Sequence, residues 1–463
     1  MLIRREKDLL GSMELPADTW YGIQTQRAVE NFTITGIPIG HFPELVDSLA
    51  MVKAAAAMAN QKLGLLADNK AQAIVAACVE IRTGNYYDAF VVDSIQGGAG
   101  TSTNMNANEV IANIALTRMG HSKGEYQHLH PNDDVNRSQS TNDVYPTAAC
   151  LAIQLAGDNL MHAVEALKDG LDAKGEEFAS VIKMGRTQLQ DAVPMSLGQE
   201  FKAFAVTLGE ETSRIQEAGK LLCEVNLGGT AIGTGINSHK DYSALAIANL
   251  AQLSQKPLVP ASNLVEATSD MGAFVYYSGI LKRLAIKLSK VSNDLRLLSS
   301  GPRTGFGEIV LPSVQPGSSI MPGKVNPVIP EAVNQTAYQV IASDLAVTLA
   351  AEAGQLQLNA MEPLIIYNLL NSIKMLTSSC DMLNKRCIKG IQANVQRCRE
   401  HVDNSIGTVT ALVPVIGYAN ATMVASLALS ENKTISEVVL SKNLLTRQEL
   451  ESLLDPHSML EMS

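Results

Sequence analysis

Aromatic residues are scarce, at 4% of the 463-residue chain with a single tryptophan. The core must therefore be built from Ala, Leu, Val, Ile and Met, which favours packed helices over a β-sandwich. Cysteines are few and dispersed: Cys78, Cys150, Cys223, Cys380, Cys387 and Cys398 show no CxxC spacing. That pattern argues against a disulfide framework and for reduced core thiols in a cytoplasmic protein. No apolar run reaches the ~18 residues that a membrane span needs. The first residues, MLIRREKDLL, carry charges where a secretory signal would place its apolar stretch. Polybasic runs are missing and the net charge is −10, so neither nucleic acid nor an anionic membrane is expected as a partner.

Several motifs are also incomplete. Residues 317–324, GSSIMPGK, approach a phosphate-binding P-loop, but five residues separate Gly317 from Gly323 where the motif has four. Val325 also stands where Ser or Thr would meet magnesium. Neither 97–100 nor 228–235 completes GxGxxG after a strand, and no HExxH occurs. His128 and His130 lie in the loop-like HLHPND without metal spacing, and His130 reads as a polar loop residue.

Against these absences stands a strong helical pattern. The length suggests two or three domains. Five long segments carry helical periodicity: 146–180, 194–225, 269–300, 330–352 and 362–390. In the third, Leu281, Leu284, Ala285, Leu288, Val291, Leu295 and Leu298 recur at three- and four-residue steps, the pattern of a bundle seam. Such helices would be ~33–50 Å long and point to an elongated bundle. Shorter helices are expected at 46–62 and 105–119. The chain divides into an N-terminal, mostly helical domain (1–141), a central long-helix domain (142–397) and a small C-terminal helical domain (398–463).

Four polar clusters precede the expected helices. They are GGAGTSTNMN at 97–106, SQSTND at 138–143, MGRTQLQD at 184–191 and GSSIMPGKVNP at 317–327. Ser, Thr, Asn and Asp in such places also serve as ordinary helix caps. Four clusters together, each offering hydroxyls or amides beside the positive end of a helix, suit a dicarboxylate. If 146–180 and 194–225 are antiparallel neighbours, their starts lie at opposite ends of the bundle. The second and third clusters then share a site only between subunits.

These motifs resemble the aspartase/fumarase superfamily of lyases, whose signature is GSSIMPGKVNP. The resemblance continues through GGAGTSTNMNANEVIANIAL, HPNDDVNRSQSTND, KMGRTQLQDAVPM, GTAIGTGIN, NDLRLLSSGPR and EAGQLQLNAMEP. Gln188 after Thr187, and GGAGTS rather than GSGT, resemble the aspartate ammonia-lyases more than the fumarate hydratases. The resemblance implies a mainly α, three-domain fold whose five-helix bundle joins others in a twenty-helix tetramer core. It implies active sites shared by three subunits of a homotetramer, and reversible elimination of ammonia from L-aspartate to give fumarate. The alternatives are fumarate hydratase and a non-catalytic structural protein on the same scaffold.

By the same resemblance Ser318 is the base that removes the Cβ proton. Thr101, Ser140, Thr141 and Ser319 hold the β-carboxylate and the aci-carboxylate formed from it. Lys324 and Asn326, with Thr187, hold the α-carboxylate; Asn142 and Gln188 face the amino group. Glutamine is no acid of histidine's strength, so protonation of the leaving amine is not assigned to Gln188. No organic cofactor is implied. Divalent metal activates some relatives, but no metal site is legible. Asp134 replaces a histidine common in HPNDH, which argues against a secondary anion site there.

Overall fold

The computed structural model describes residues 2–455; the last eight residues of the segment read as a C-terminal domain lie outside them. The chain opens with an antiparallel hairpin, β1 (Ile3–Asp8) and β2 (Gly11–Pro16), which sequence periodicity did not announce. Helices α1 (Ile23–Asn31), α2 (Pro43–Lys62), α3 (Asp68–Ile81) and α4 (Thr101–Arg118) follow. Next come α5 (Thr141–Glu177), the hairpin β3 (Ile182–Thr187) and β4 (Gln190–Ser196), and α6 (Leu197–Leu221). Then run α7 (Tyr242–Ser254), α8 (Gly272–Leu298), α9 (Val328–Glu352) and α10 (Glu362–Arg386). The C-terminal helices are α11 (Val395–Asn404), α12 (Val409–Ile416), α13 (Tyr418–Glu431), α14 (Ile435–Ser441) and α15 (Arg447–Leu453). No helix among the described residues is long and apolar enough to cross a membrane.

The five expected long helices are α5, α6, α8, α9 and α10. Every residue of the expected seam on α8 is buried. The helices meet through close-packed and polar contacts. A Cβ on Gly157 of α5 would fall 2.4 Å from the Tyr277 hydroxyl of α8, so only glycine admits that approach. Asn384 of α10 donates to the Ala166 carbonyl of α5 at 2.8 Å. Lys287 of α8 donates to the Thr207 carbonyl of α6 at 2.8 Å. Asn334 of α9 donates to the Ser289 carbonyl of α8 at 3.1 Å, and Ser278 of α8 to Asp344 of α9 at 2.8 Å. All six cysteines are free and buried.

The chain separates into two compact units: Met1–Met161 with Ser213–Arg283 and Gln339–Leu376, and His162–Thr212 with Leu284–Tyr338 and Thr377–Ser463. The division falls within each of the five long helices.

One boundary differs in kind from the sequence reading. Pro194 was expected near a helix start, but it lies in β4, and α6 begins at Leu197. Ser196 and Gln199 form the true start. The Ser196 hydroxyl accepts the Gln199 N–H at 2.9 Å, and the Gln199 side chain accepts the Ser196 N–H at 2.9 Å. This S-x-x-Q capping box satisfies two orphan donors, and it is visible in the sequence.

Candidate active site

In the first unit, two of the polar clusters meet. Gly98 and Gly100 take φ of 88° and 87°, turning the chain sharply into α4. A Cβ on Gly100 would sit 2.3 Å from the Tyr145 ring, so glycine lets the start of α4 lie against α5. Asn104 of α4 then donates its amide to the Thr141 hydroxyl oxygen at 3.1 Å. Thr101, Ser140, Thr141 and Asn142 thus stand at two helix N-termini joined by this bond. Anions are favoured in such a place.

The hydroxyls are not equivalent. Thr101 gives its proton to the Gly98 carbonyl at 2.7 Å, so it must rotate to serve a carboxylate. The Ser140 oxygen accepts the Asn142 N–H at 3.2 Å, and Thr141 accepts from Asn104. Both of these keep their protons available. Asn142 donates its side-chain N–H to the Ala231 carbonyl at 2.8 Å. That contact fixes the amide orientation and leaves the Asn142 oxygen as an acceptor, the polarity an ammonium group needs.

The segment 226–237 supports this end of α5, and its part was missed in the sequence reading. Pro146 lies inside α5 and has no N–H for the Asn142 carbonyl four residues back. The Asn226 side chain supplies the missing donor at 3.0 Å. Buried Asp143 accepts N–H groups from Ser140 at 3.0 Å, Gly228 at 2.9 Å and Thr230 at 3.0 Å. Burial pushes the Asp143 carboxyl up to about 6, against these hydrogen bonds and the Lys53 charge. Burial likewise pushes the Lys53 ammonium down to about 7, against the pull of Asp143. A proline six places into a helix, paired with a distant glycine-rich asparagine loop, was the available signal.

The second unit holds the other clusters. Residues 317–327 form a loop that closes on itself before α9. Gly317 N–H donates to the Lys324 carbonyl at 2.9 Å, and the Asn326 side chain donates to the Gly317 carbonyl at 2.6 Å. A Cβ on Gly317 would lie 2.4 Å from that Lys324 oxygen, so the clasp demands glycine. Inside it, the Ser318 oxygen accepts N–H from Ile320 at 3.2 Å and Met321 at 3.0 Å. Ser319 and Lys324 are exposed on the same loop.

Thr187 and Gln188 are placed differently from the expectation. They do not precede a helix; they sit at the turn joining β3 to β4, with Thr187 paired to Gln190. Gln188 and Leu189 take φ of 54° and 61°, the two left-handed positions of a tight hairpin turn. The helix-dipole argument therefore does not apply to this cluster. Instead, the hairpin is anchored by charge. Glu308, fully buried, accepts from Arg186 at 2.6 Å and lies 2.9 Å from Lys183 and 3.0 Å from His401. Burial alone would raise the Glu308 carboxyl, but Lys183, His401 and Arg186 outweigh it and hold it below its ordinary value. Among the described residues no hydrogen bond joins the hairpin turn to the 317–327 loop.

In the 119–135 stretch, polar side chains find partners nearby. His130 caps the turn at Pro131–Val135 by accepting N–H from Asn132 and Asp133 at 3.1 and 3.2 Å. Asp134 pairs with Lys70 at 2.7 Å. His121, Glu125 and His128 bring one ligand atom each within 4.8 Å of the others. The two imidazoles, however, stack 3.8 Å apart at 6°. No point lies in the plane of both rings, so their lone pairs do not converge on one ion in this arrangement.

A lyase family model matches residues 11–342, and a fumarase C C-terminus model matches 409–461. Aspartate ammonia-lyase of Pseudomonas fluorescens is 62% identical over 458 residues, covering 99% of this chain and 96% of that protein. Aspartate ammonia-lyase of Escherichia coli K12 is 55% identical over 452 residues, covering 97% and 95%. The structure of a fumarate lyase:delta crystallin from Brucella melitensis bound to cobalt superposes with a TM-score of 0.96 at 59% identity, covering 99% of each chain. The class II fumarase of Schistosoma mansoni gives 0.93 at 36% identity, again covering 99% of each. The signature loop, the paired helix N-termini and these full-length matches agree: the chain belongs to the aspartase/fumarase family of lyases.

Proposed function

We propose that this chain is a carbon–nitrogen lyase that reversibly eliminates ammonia from L-aspartate to give fumarate. The observation that carries the mechanism is the Ser318 oxygen held by two backbone N–H groups. Proton removal from Cβ needs a serine anion as base. Hydrogen bonds to a charged group are worth ~1.5–3 kcal/mol each, so two amides favour the alkoxide over the hydroxyl. The proton passes to Ser318, and charge collects on the β-carboxylate as an aci-carboxylate. Donors that tighten as this charge grows stabilise the transition state. Ser140 and Thr141 have protons free for this task, with Thr101 and Ser319 beside them in the assignment. Lys324, as a compact point charge, and Asn326 hold the α-carboxylate with Thr187. The Asn142 oxygen and Gln188 face the amino group. The reading uses no organic cofactor and assigns no metal.

The site is read as shared by three subunits of a homotetramer. Helix α5 has 37 residues, a length of ~55 Å. Ser140–Asn142 stand at its start, and the Thr187 hairpin follows its far end. Leu345 and Leu349, four residues apart on α9, are exposed apolar side chains on one face. Burial against neighbouring bundles would remove that face from water. The cytoplasm is the compartment that suits six free thiols.

The family also contains class II fumarases, and fumarate hydration is the second reading. Ultraviolet absorbance of fumarate, followed with L-aspartate and with L-malate, separates the two. Turnover of aspartate with little or none of malate is expected; the reverse preference assigns the chain to hydration.

A further inference from the structure

We propose that Lys53 and Asn104 are positioning residues that fix the Thr141 hydroxyl as a proton donor toward the substrate carboxylate, through an ordered relay Lys53–Asn136–Asn104–Thr141. The proposal rests on the placement of Thr141 at the β-carboxylate. Lys53 is fully buried on α2, and its side chain offers hydrogen bonds at Nζ alone. Its Nζ lies 2.9 Å from Asn136 Oδ1 and 2.9 Å from Gln139 Oε1. In its ammonium form Lys53 has no acceptor, so Asn136 turns its oxygen toward Lys53 and its nitrogen toward the Gln139 carbonyl, 3.3 Å away.

That choice propagates. The same Asn136 oxygen also takes N–H from Asn104 at 3.1 Å and Asn108 at 3.2 Å. Asn104 therefore presents its NH2 group here, and the same nitrogen reaches Thr141 Oγ1 at 3.1 Å. Thr141 can only accept in that contact, so its single proton is directed elsewhere. The carbonyl oxygens of Asn104 and Asn108 are buried without a hydrogen-bond partner. Flipping Asn104 would let its oxygen accept from the Thr141 hydroxyl but would place two oxygens face to face at Asn136. The unpaired carbonyls are consistent with a network whose direction is set from Lys53. A hydroxyl oriented before substrate arrives needs no reorganisation as charge develops, which is where preorganised donors act. Thr101, whose proton goes to Gly98, has no such relay.

The test is a double-mutant cycle on the full-length enzyme, read by steady-state kinetics with L-aspartate. Thr141→Val should lower kcat by ~10²-fold, the loss of one preorganised donor. Asn104→Leu should lower kcat about tenfold with a smaller change in KM, because a mis-set hydroxyl hurts the transition state most. The double variant should be no slower than Thr141→Val, since no hydroxyl is left to orient. Lys53→Met, acting from the far end, should show the same dependence on Thr141. Asn104→Ala, which adds no bulk, serves should Asn104→Leu fail to fold; it likewise removes the donor and should add nothing to the loss of Thr141→Val. Asn104 and Lys53 effects that multiply with that of Thr141→Val overturn the relay while leaving Thr141 in the site. Wild-type rates for Thr141→Val overturn the placement of Thr141, and the relay with it.

Discussion

Asn226 replaces a hydrogen bond that the sequence of α5 forbids, and its removal has a calculable effect. Pro146 cannot donate to the Asn142 carbonyl, and Asn226 does so at 3.0 Å. The same side chain donates to Thr268 at 3.2 Å and accepts from Thr147 at 3.3 Å, and it is 3% exposed. Asn226→Ala leaves the Asn142 carbonyl and the Thr147 hydroxyl without partners. Each such group costs ~1–3 kcal/mol, so a loss of ~2–6 kcal/mol is expected. Pro146→Ala restores an N–H four residues after Asn142. In the Asn226→Ala background it should recover ~1–2 kcal/mol more than it contributes in the wild-type background, a coupling of the size found between groups sharing a partner. Urea denaturation midpoints of the four proteins, at matched concentration, give the cycle. Strict additivity of the two substitutions would refute the exchange of one donor for the other.

Two further predictions follow from buried and crowded positions. Glu362 opens α10 with both carboxyl oxygens buried and without hydrogen-bond partners, and burial pushes its pKa well above the ordinary value. A raised folded-state pKa means that its stability contribution is full below the unfolded value and lost as pH rises through the folded one. Glu362→Gln does not titrate, so its stability should gain on wild type as pH rises above the ordinary carboxyl range, read as a widening difference in melting temperature; a pH-independent difference contradicts this. Gly317→Ala sets a Cβ 2.4 Å from the Lys324 carbonyl. It should open the loop clasp and lower kcat/KM by ~10²-fold, the scale of a misplaced catalytic group. The melting temperature should barely move, and activity within threefold of wild type would dismiss the clasp.

Much of this fold is legible because it is helical and long. The α8 seam repeats over seven apolar positions, all of them buried, and such periodicity survives any tertiary context. The places of Thr101, Ser140 and Thr141 at helix starts were also readable, since hydroxyls there mark both caps and anion sites. The β3–β4 hairpin was not. Its turn falls on Gln188 and Leu189, both at positive φ, where Asn-Gly would have been the recognisable pair. The buried Glu308 cluster that holds it draws on Lys183, Arg186 and His401, residues more than two hundred positions apart at the extremes whose pairing no local pattern encodes. The same limit hid Asn226 and the Lys53 relay. Each is a donor supplied across the fold to a group whose need is local but whose partner is not.

The Ser318 loop is the centre of the account, and substitution of its base is the most direct measurement. With L-aspartate, Ser318→Ala should lower kcat by ~10³-fold, within the range for loss of a general base, and leave KM within a few-fold of wild type. A variant that folds and turns over within tenfold of wild type would remove Ser318 as the base, and the two amide donors at its oxygen would then be no more than a turn.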